Sequence, residues 1–221
     1  SDVCSSDLGF VGDDGEFTGF DLEMAAEVAK RLNLTIAYQP IAWDAKDMEL
    51  DAGTIDCIWN GFTMNGREDD YEWSKPYMKN NQVFVVRGDS DINSEADLAG
   101  KNVEVQTDSS AEAALNDNSE LTSTFGSLTP VADYNTAFMD LESGAVDAIA
   151  MDDVVASYQI TSRKADFKVL DDVIAAEEYG IGFKKGNTGL RDKVQATLEE
   201  MAADGTAAKI SERSEERRVG K

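Results

Sequence analysis

Along almost the whole chain, short apolar stretches of strand length alternate with amphipathic stretches of helical length, and few architectures accommodate that order. "GFVGDDGEFTGFD" reads as the end of a strand, a Gly-rich turn at Asp13-Asp14-Gly15 and a second short strand. From Asp21, the expected N-cap, "LEMAAEVAKRLN" puts Leu22, Ala25, Ala26, Val28, Ala29 and Leu32 on one helical face, with Asn33 closing the helix. "LTIAYQPI" then alternates as a strand should, "WDAKDMELDAG" is a short helix stopped by Gly53, and "TIDCIW" is the next strand. Strand, helix, strand, helix, strand is the order of a parallel sheet with crossover helices, because parallel neighbours cannot be joined by a tight turn.

A second series begins after the strand "QVFVVR", Gln82 to Arg87, and the polar segment "GDSDINS". "NVEVQT" is a strand, "DSSAEAALND" opens a helix, "YNTAFMDLESG" is a helix stopped by Gly144, "AVDAIAM" is a strand and "DDVVASYQITS" a helix. "FKVLDD" and "YGIGFKK" are two further strands, and "LRDKVQATLEEMAADG" is a last amphipathic helix with Leu190, Val194, Leu198 and Met201 along one stripe. Two such series in a row imply two lobes, with ligands expected beyond the carboxyl ends of the parallel strands.

The composition narrows the function. Asp and Glu number 44 against 20 Lys and Arg, a net charge of −24 that repels phosphate backbones, so nucleic acid is excluded as a partner. The sequence has no histidine, which removes Ser-His-Asp and Cys-His nucleophiles and the commonest zinc ligand. Its two cysteines, Cys4 and Cys57, cannot build a disulfide framework, and Cys57 reads as a small core residue. No metal or cofactor is expected. No run of 18 apolar residues is present, the length a spanning helix needs. The two ends, residues 1–8 ("SDVCSSDL") and 213–221 ("RSEERRVGK"), fit neither neighbouring pattern and are expected to be non-native tails, leaving a chain without its own N-terminus or export signal.

Against so much negative charge, the arginine in "TIDCIWNGFTMNGREDDYEWSKPYM" stands out. Arg67 lies beyond a strand end, after Asn60-Gly61-Phe62-Thr63, where an open sheet presents its binding crevice. A guanidinium there can grip a carboxylate through two parallel hydrogen bonds, with Gly61 permitting close backbone approach and Thr63 supplying a hydroxyl. Surface pairing with Glu68, Asp69 or Asp70 explains Arg67 equally well on spacing alone. In "VQTDSSAEAAL", Ser109 and Ser110 sit between strand and helix, where free N–H groups hold an anion, although plain N-capping by Asp108 or Ser109 is the commoner use of such residues. Asp152 and Asp153 follow a nearly all-apolar strand; one caps the next helix and the other, Asp152, can receive an ammonium group. Trp43 either walls a pocket or packs in the core. One cation and one anion at strand ends match the charge pair of an α-amino acid.

Taken together, "DGEFTGFDLEMAAEVAKRL", "TIDCIWNGFTMNGREDDYEWSKPYM", "ADLAGKNVEVQTDSSAE", "GAVDAIAMDDVVASY", "EYGIGF" and "ADGTAAKI" resemble the amino-acid solute-binding proteins of ABC importers, over nearly all of residues 9 to 211. The resemblance implies an α/β, two-lobed periplasmic-binding-protein-like fold of type II, each lobe a sheet flanked by helices. Lobe one would comprise 9–88 plus 176–221 and lobe two, inserted into it through two hinge strands, 89–175. It implies further that Arg67 grips the α-carboxylate with help from Thr63 and the Ser110 backbone, that Asp152 receives the α-ammonium, and that Asn60 and Gly61 offer backbone carbonyls and amides. Trp43 matches an aromatic contact and Gln106 a position that reads the side chain.

This sequence departs from the family pattern in three places. The gap from Gly61 to Arg67 is one residue shorter than the commoner spacing. Asp108 stands where glycine is frequent. The first strand, with its aromatic-bearing turn, is replaced by "SDVCSSDL". The function implied is capture of a free, polar amino acid between closing lobes and delivery to a membrane permease, by a monomer in the periplasm or lipid-anchored at the cell surface, without catalysis. A dehydratase of the cyclohexadienyl type and the extracellular sensor lobe of a receptor are the alternatives on the same scaffold.

Overall fold

The structure, a computed structural model, describes residues 9–11, 17–163 and 165–219. The expected turn at Asp13-Asp14-Gly15 and the tail 1–8 lie outside the described residues. In chain order the elements are β1 (Phe10–Val11), β2 (Phe17–Thr18), α1 (Phe20–Arg31), α2 (Lys46–Ala52), β3 (Cys57–Thr63), β4 (Glu72–Trp73), β5 (Met78–Arg87), β6 (Asn102–Gln106), α3 (Ser110–Asp117) and α4 (Ser119–Thr122). They continue with β7 (Ser127–Val131), α5 (Tyr134–Ser143), β8 (Ala148–Asp152), α6 (Asp153–Arg163), β9 (Phe167–Phe183), α7 (Thr188–Ala203) and α8 (Thr206–Val219). The chain forms two compact units, one taking residues up to Ile41, Ala45–Lys79 and Glu178 onward, the other Ala42–Asp44 and Asn80–Glu177. It passes from one unit to the other inside β5 and again inside β9.

In the second unit the strand order is β9–β5–β8–β6–β7. β6 runs parallel to both β7 and β8, as the alternating sequence predicts, whereas β5 is antiparallel to β8, with Gln82 opposite Asp152 and Val86 opposite Ala148. The sheet is covered on both faces. Val83, Val85, Ile149 and Met151 pack with Tyr134, Phe138 and Leu141 of α5, while Phe84, Val86, Val103, Val105, Ala148 and Ala150 pack with Ala111 and Leu115 of α3. A strand buried on both faces must be apolar throughout, which is why "AVDAIAM" carries no polar alternation. Helix ends follow local chemistry: the Asp133 side chain accepts the Thr136 N–H, and Gly144 closes α5 at φ 80°, a left-handed conformation that costs glycine little.

The first unit departs from the expected parallel sheet. Its β3 and β4 pair antiparallel with the second half of β9, and β1 pairs with β2 antiparallel in a separate two-stranded sheet. The segment 34–41, expected as a strand, forms none. A strand needs a neighbour for its N–H and C=O groups, and among the described residues none pairs with this segment. Leu34 is 53% and Ile36 37% exposed, and Tyr38 instead donates its hydroxyl to Leu22 O at 2.9 Å and packs on Phe17. The two strands expected at "FKVLDD" and "YGIGFKK" are one, β9, running through "VIAAEE": pairing with neighbours overrides the weak strand preference of Ala and Glu.

Helices α1, α7 and α8 cover the first unit's sheet, with Met24, Val28, Ile181, Phe183, Val194, Met201 and Ile210 in one cluster. The part of α8 from residue 213 belongs to the expected tail. Asp21 is not the N-cap of α1; that position is Gly19, and no side chain caps the helix. Asp21 is buried instead, for a reason that emerges at β3.

Candidate functional site

Strand β3 does not end at Trp59 but continues through a bulge. Its register with β9 shifts between Ile58 and Phe62, and Gly61 sits there at φ 61°. A bulge turns a backbone amide out of the ladder and requires a residue tolerant of left-handed backbone. The released Gly61 N–H donates to Asp21 Oδ2 at 2.8 Å, and the Tyr77 hydroxyl donates to the same oxygen at 2.7 Å. Asp21 is fully buried, and burial pushes its carboxyl up to about 7 against the pull of Tyr77 and Gly61. Asn60 places its side chain beside the backbone of Gly9, where an added Cβ would meet Asn60 Oδ1 at 3.0 Å.

Beyond the bulge, Thr63 is buried and the chain turns back, with Arg67 N–H on Met64 O at 2.9 Å. The Arg67 guanidinium lies over the Phe62 ring at 5.5 Å and donates from one Nη to Thr63 O at 3.4 Å, while Arg67 O accepts the Trp73 indole N–H at 2.9 Å. Phe62, Tyr71 and Trp73 form one aromatic group, the Phe62 and Trp73 rings 4.8 Å apart. Gly182 makes room for it, since a Cβ there would meet Phe62 Cε1 at 2.7 Å. The first unit thus brings Asn60, Gly61, Thr63 and Arg67 to one strand end, with the cation oriented by an aromatic face and the Thr63 carbonyl.

In the second unit, Ser110 and Asp152 converge on one side chain that sequence reasoning passed over. Gln82 is fully buried and sits across the ladder from Asp152. Its Nε2 lies 2.8 Å from Asp152 Oδ1, 2.9 Å from Glu177 Oε2 and 3.0 Å from Ser110 Oγ. Asn80, also buried, reaches the same two carboxylates from Nδ2 at 2.8 Å (Asp152) and 3.3 Å (Glu177), and Ser110 Oγ donates to Glu177 Oε2 at 3.4 Å. Gln82, Asn80 and Glu177 left no local signal; only the pairing of strands distant in sequence brings them to Asp152.

Ser109 caps α3 by accepting the Glu112 N–H at 3.1 Å, and Asp108 N–H donates to Glu112 Oε2 at 2.6 Å. Asp108 is exposed with φ 59°, a left-handed conformation that glycine adopts more readily. Trp43 is neither core nor remote: its indole N–H donates to Asp108 O at 3.2 Å, beside the start of α3. Gln106, buried, donates to Ala132 O at 3.2 Å, at the segment that follows β7.

Among the described residues no group of three His, Cys, Asp or Glu is placed to hold a metal ion, and no helix is long and apolar enough to cross a membrane.

Known proteins resemble this chain over most of its length. The model of the bacterial extracellular solute-binding proteins, family 3, matches residues 3–214. The L-cystine-binding protein TcyJ of Escherichia coli K12 is 31% identical over 207 residues, 92% of this chain and 76% of that protein. The L-cystine-binding protein TcyA of Bacillus subtilis is 31% identical over 204 residues, 91% of this chain and 74% of that one. Among solved structures, an ABC uptake transporter substrate-binding protein from Streptococcus pneumoniae with bound histidine superposes with a TM-score of 0.89 at 31% identity, covering 97% of this chain and 88% of the other.

Proposed function

The chain belongs to the bacterial extracellular solute-binding proteins of family 3, and on that premise we propose that it captures a free, polar amino acid and hands it to the permease of an ABC importer. The observation that carries this reading is the division of charge at two strand ends. Arg67 in the first unit is presented by an aromatic face, and Asp152 in the second is held by two buried amides. An α-amino acid carries the complementary pair, a carboxylate for the guanidinium and an ammonium for Asp152. Thr63 and the Ser110 backbone N–H complete the carboxylate's hydrogen bonds, a backbone carbonyl at Asn60–Gly61 accepts from the ammonium, Ser109 holds the α3 terminus in place, and Trp43 and Gln106 meet the side chain. The process is reversible binding without turnover, by a monomer in the periplasm or tethered by a lipid to the outer face of the cell membrane. L-cystine, L-arginine and L-histidine, for which relatives are named, are the first ligands to try.

The test is calorimetric titration with the twenty standard amino acids and L-cystine. One of them is expected to bind, and Arg67→Ala to weaken that binding by about a hundredfold or more, the loss of a bidentate charge-assisted pair. Asp152→Asn should weaken it similarly. Unchanged affinity in both variants would reject the assignment.

A further inference from the structure

Asp21 has the composition of a helix cap and does none of its work. It lies at the second residue of α1, its side chain bonds no amide of its own helix, and it is fully buried. Its Oδ2 accepts from the Gly61 N–H of β3 at 2.8 Å and from the Tyr77 hydroxyl at 2.7 Å, so one oxygen ties the helix start to the bulge. An asparagine could offer an oxygen of the same shape to Gly61 without the cost of a buried ionisable group. The carboxylate offers something the amide lacks, because hydrogen bonds to an ionised acceptor are roughly twice as strong as neutral ones.

We propose that Asp21 is a positioning residue of the amino-acid site: with Tyr77 it clamps the Gly61 amide and fixes the Asn60–Gly61 bulge on which the ligand rests. This builds on the reading that Asn60 and Gly61 meet the ligand. A bulge held in one conformation loses less freedom when the ligand arrives, so a tighter clamp means higher affinity.

The clamp carries its own signature. The surroundings of Asp21 supply N–H and O–H donors but no charged side chain to its proton balance. Tyr77 keeps its phenol proton, held by burial and by Asp21 itself. Cys57, on the same strand as Gly61, is kept a neutral thiol by burial, and Glu23 on α1 bonds outward to Thr18 and Arg213. Asp21 therefore titrates near neutrality as a single group, and its ionisation strengthens the bonds to Gly61 and Tyr77. Ligand affinity should rise as pH climbs through about 7. Folding stability should move the other way. The folded-state carboxyl binds its proton more tightly than the unfolded one, so the stability it confers is complete below the unfolded value of 3.8 and lost as pH rises through about 7. A residue with a merely structural role would lower affinity and stability together.

The experiment uses the full chain and two readouts. Nuclear magnetic resonance follows the Gly61 amide shift from pH 5.5 to 8.5 without ligand. Calorimetry then measures affinity at both ends of that range, with the twenty standard amino acids and L-cystine as probes. The expected result is a Gly61 titration with its midpoint near neutrality, abolished in Asp21→Asn. In Tyr77→Phe, which removes a donor that favours the ionised form, the midpoint should move upward. Affinity should increase about fivefold across the range in the wild type and stay flat in Asp21→Asn. A Gly61 shift that does not titrate, or a wild-type affinity flat in pH, overturns the clamp while leaving the binding function standing. Failure of every probe to bind at either pH overturns the function itself, and the clamp with it.

Discussion

The two units each present one charged side chain at a strand end, and they hold it by different means. In the second unit, Asp152 is fixed by strand register: β5 lies antiparallel to β8, so Gln82 faces it across the ladder and Asn80 bonds the same oxygen. In the first unit, Arg67 lies past the strand, in a turn, and takes its orientation from the Phe62 ring and the Thr63 carbonyl. A sheet covered on both faces sets the anion; an aromatic group and a bulge set the cation. The same contrast extends to buried acids. Asp21 and Glu104 are both raised to about 7, but Asp21 is raised by burial against the Gly61 and Tyr77 donors, whereas Glu104 is raised by burial and then by its neighbour Asp140. Similar proton affinities thus arise from a clamped carboxyl in one unit and a crowded one in the other.

The contrast can be tested where it is strongest. Leu141, fully buried on α5 in the second unit, should cost about 2–5 kcal/mol as Leu141→Ala in urea unfolding, because the two-sided packing leaves a cavity. A loss under 1 kcal/mol would mean that the second unit is packed no better than the first. Gln82→Leu comes next. It takes one donor each from Asp152 and Glu177, and about 1–3 kcal/mol of stability should go with it. Amino-acid affinity should fall in the same variant, whereas an analogue lacking the α-amino group should bind as before. A parallel loss for both ligands would assign Gln82 to packing alone.

Glu104→Gln sharpens the comparison of acids. The wild-type contribution is complete below the ordinary value of 4.5 and lost as pH rises through about 7, so the variant should be the more stable at pH 8 and show a flatter pH profile. The expected gain in Tm at pH 8 is about 2–4 °C, the size that roughly 1 kcal/mol produces in a protein of this length. Ligand affinity should keep its pH dependence in this variant, in contrast to Asp21→Asn. The smallest effect is predicted for Leu34→Ser: at 53% exposure its truncation should change stability by less than about 0.5 kcal/mol. A larger loss would show that the segment 34–41 packs as a strand after all.

What could be read in the sequence was what local chemistry decides. The β6–α3 junction, the glycine stops at Gly53 and Gly144 and the apolar run of β8 each depend on residues within one turn or one strand, and the structure contains all of them. Family resemblance supplied the fold and the amino-acid function. Three features were not legible, each because its cause is distant. Asp21 before a helical pattern reads as a cap, and only the Gly61 amide, 40 residues on, makes it a clamp. Gln82 reads as one polar residue in an apolar strand until β8 is paired with it. The alternation of "LTIAYQPI" promises a strand, but alternation describes one edge of a ladder and is silent about the other.

The two passages that enclose the bulk of the second unit fall within strands, at Lys79–Asn80 and at Glu177–Glu178, and this sets a timetable for synthesis. Apart from the short stretch Ala42–Asp44, the second unit is one uninterrupted length of chain and can complete its sheet as soon as it leaves the ribosome. The first unit cannot. Its β3 must wait for the far half of β9, and its helical cover for α7 and α8, so β3 stays unpaired and its core uncovered until a whole intervening unit has been made. Nascent chains that have emerged only as far as Glu177 should therefore contain one finished unit and one aggregation-prone remnant, the state in which a holding chaperone is most needed.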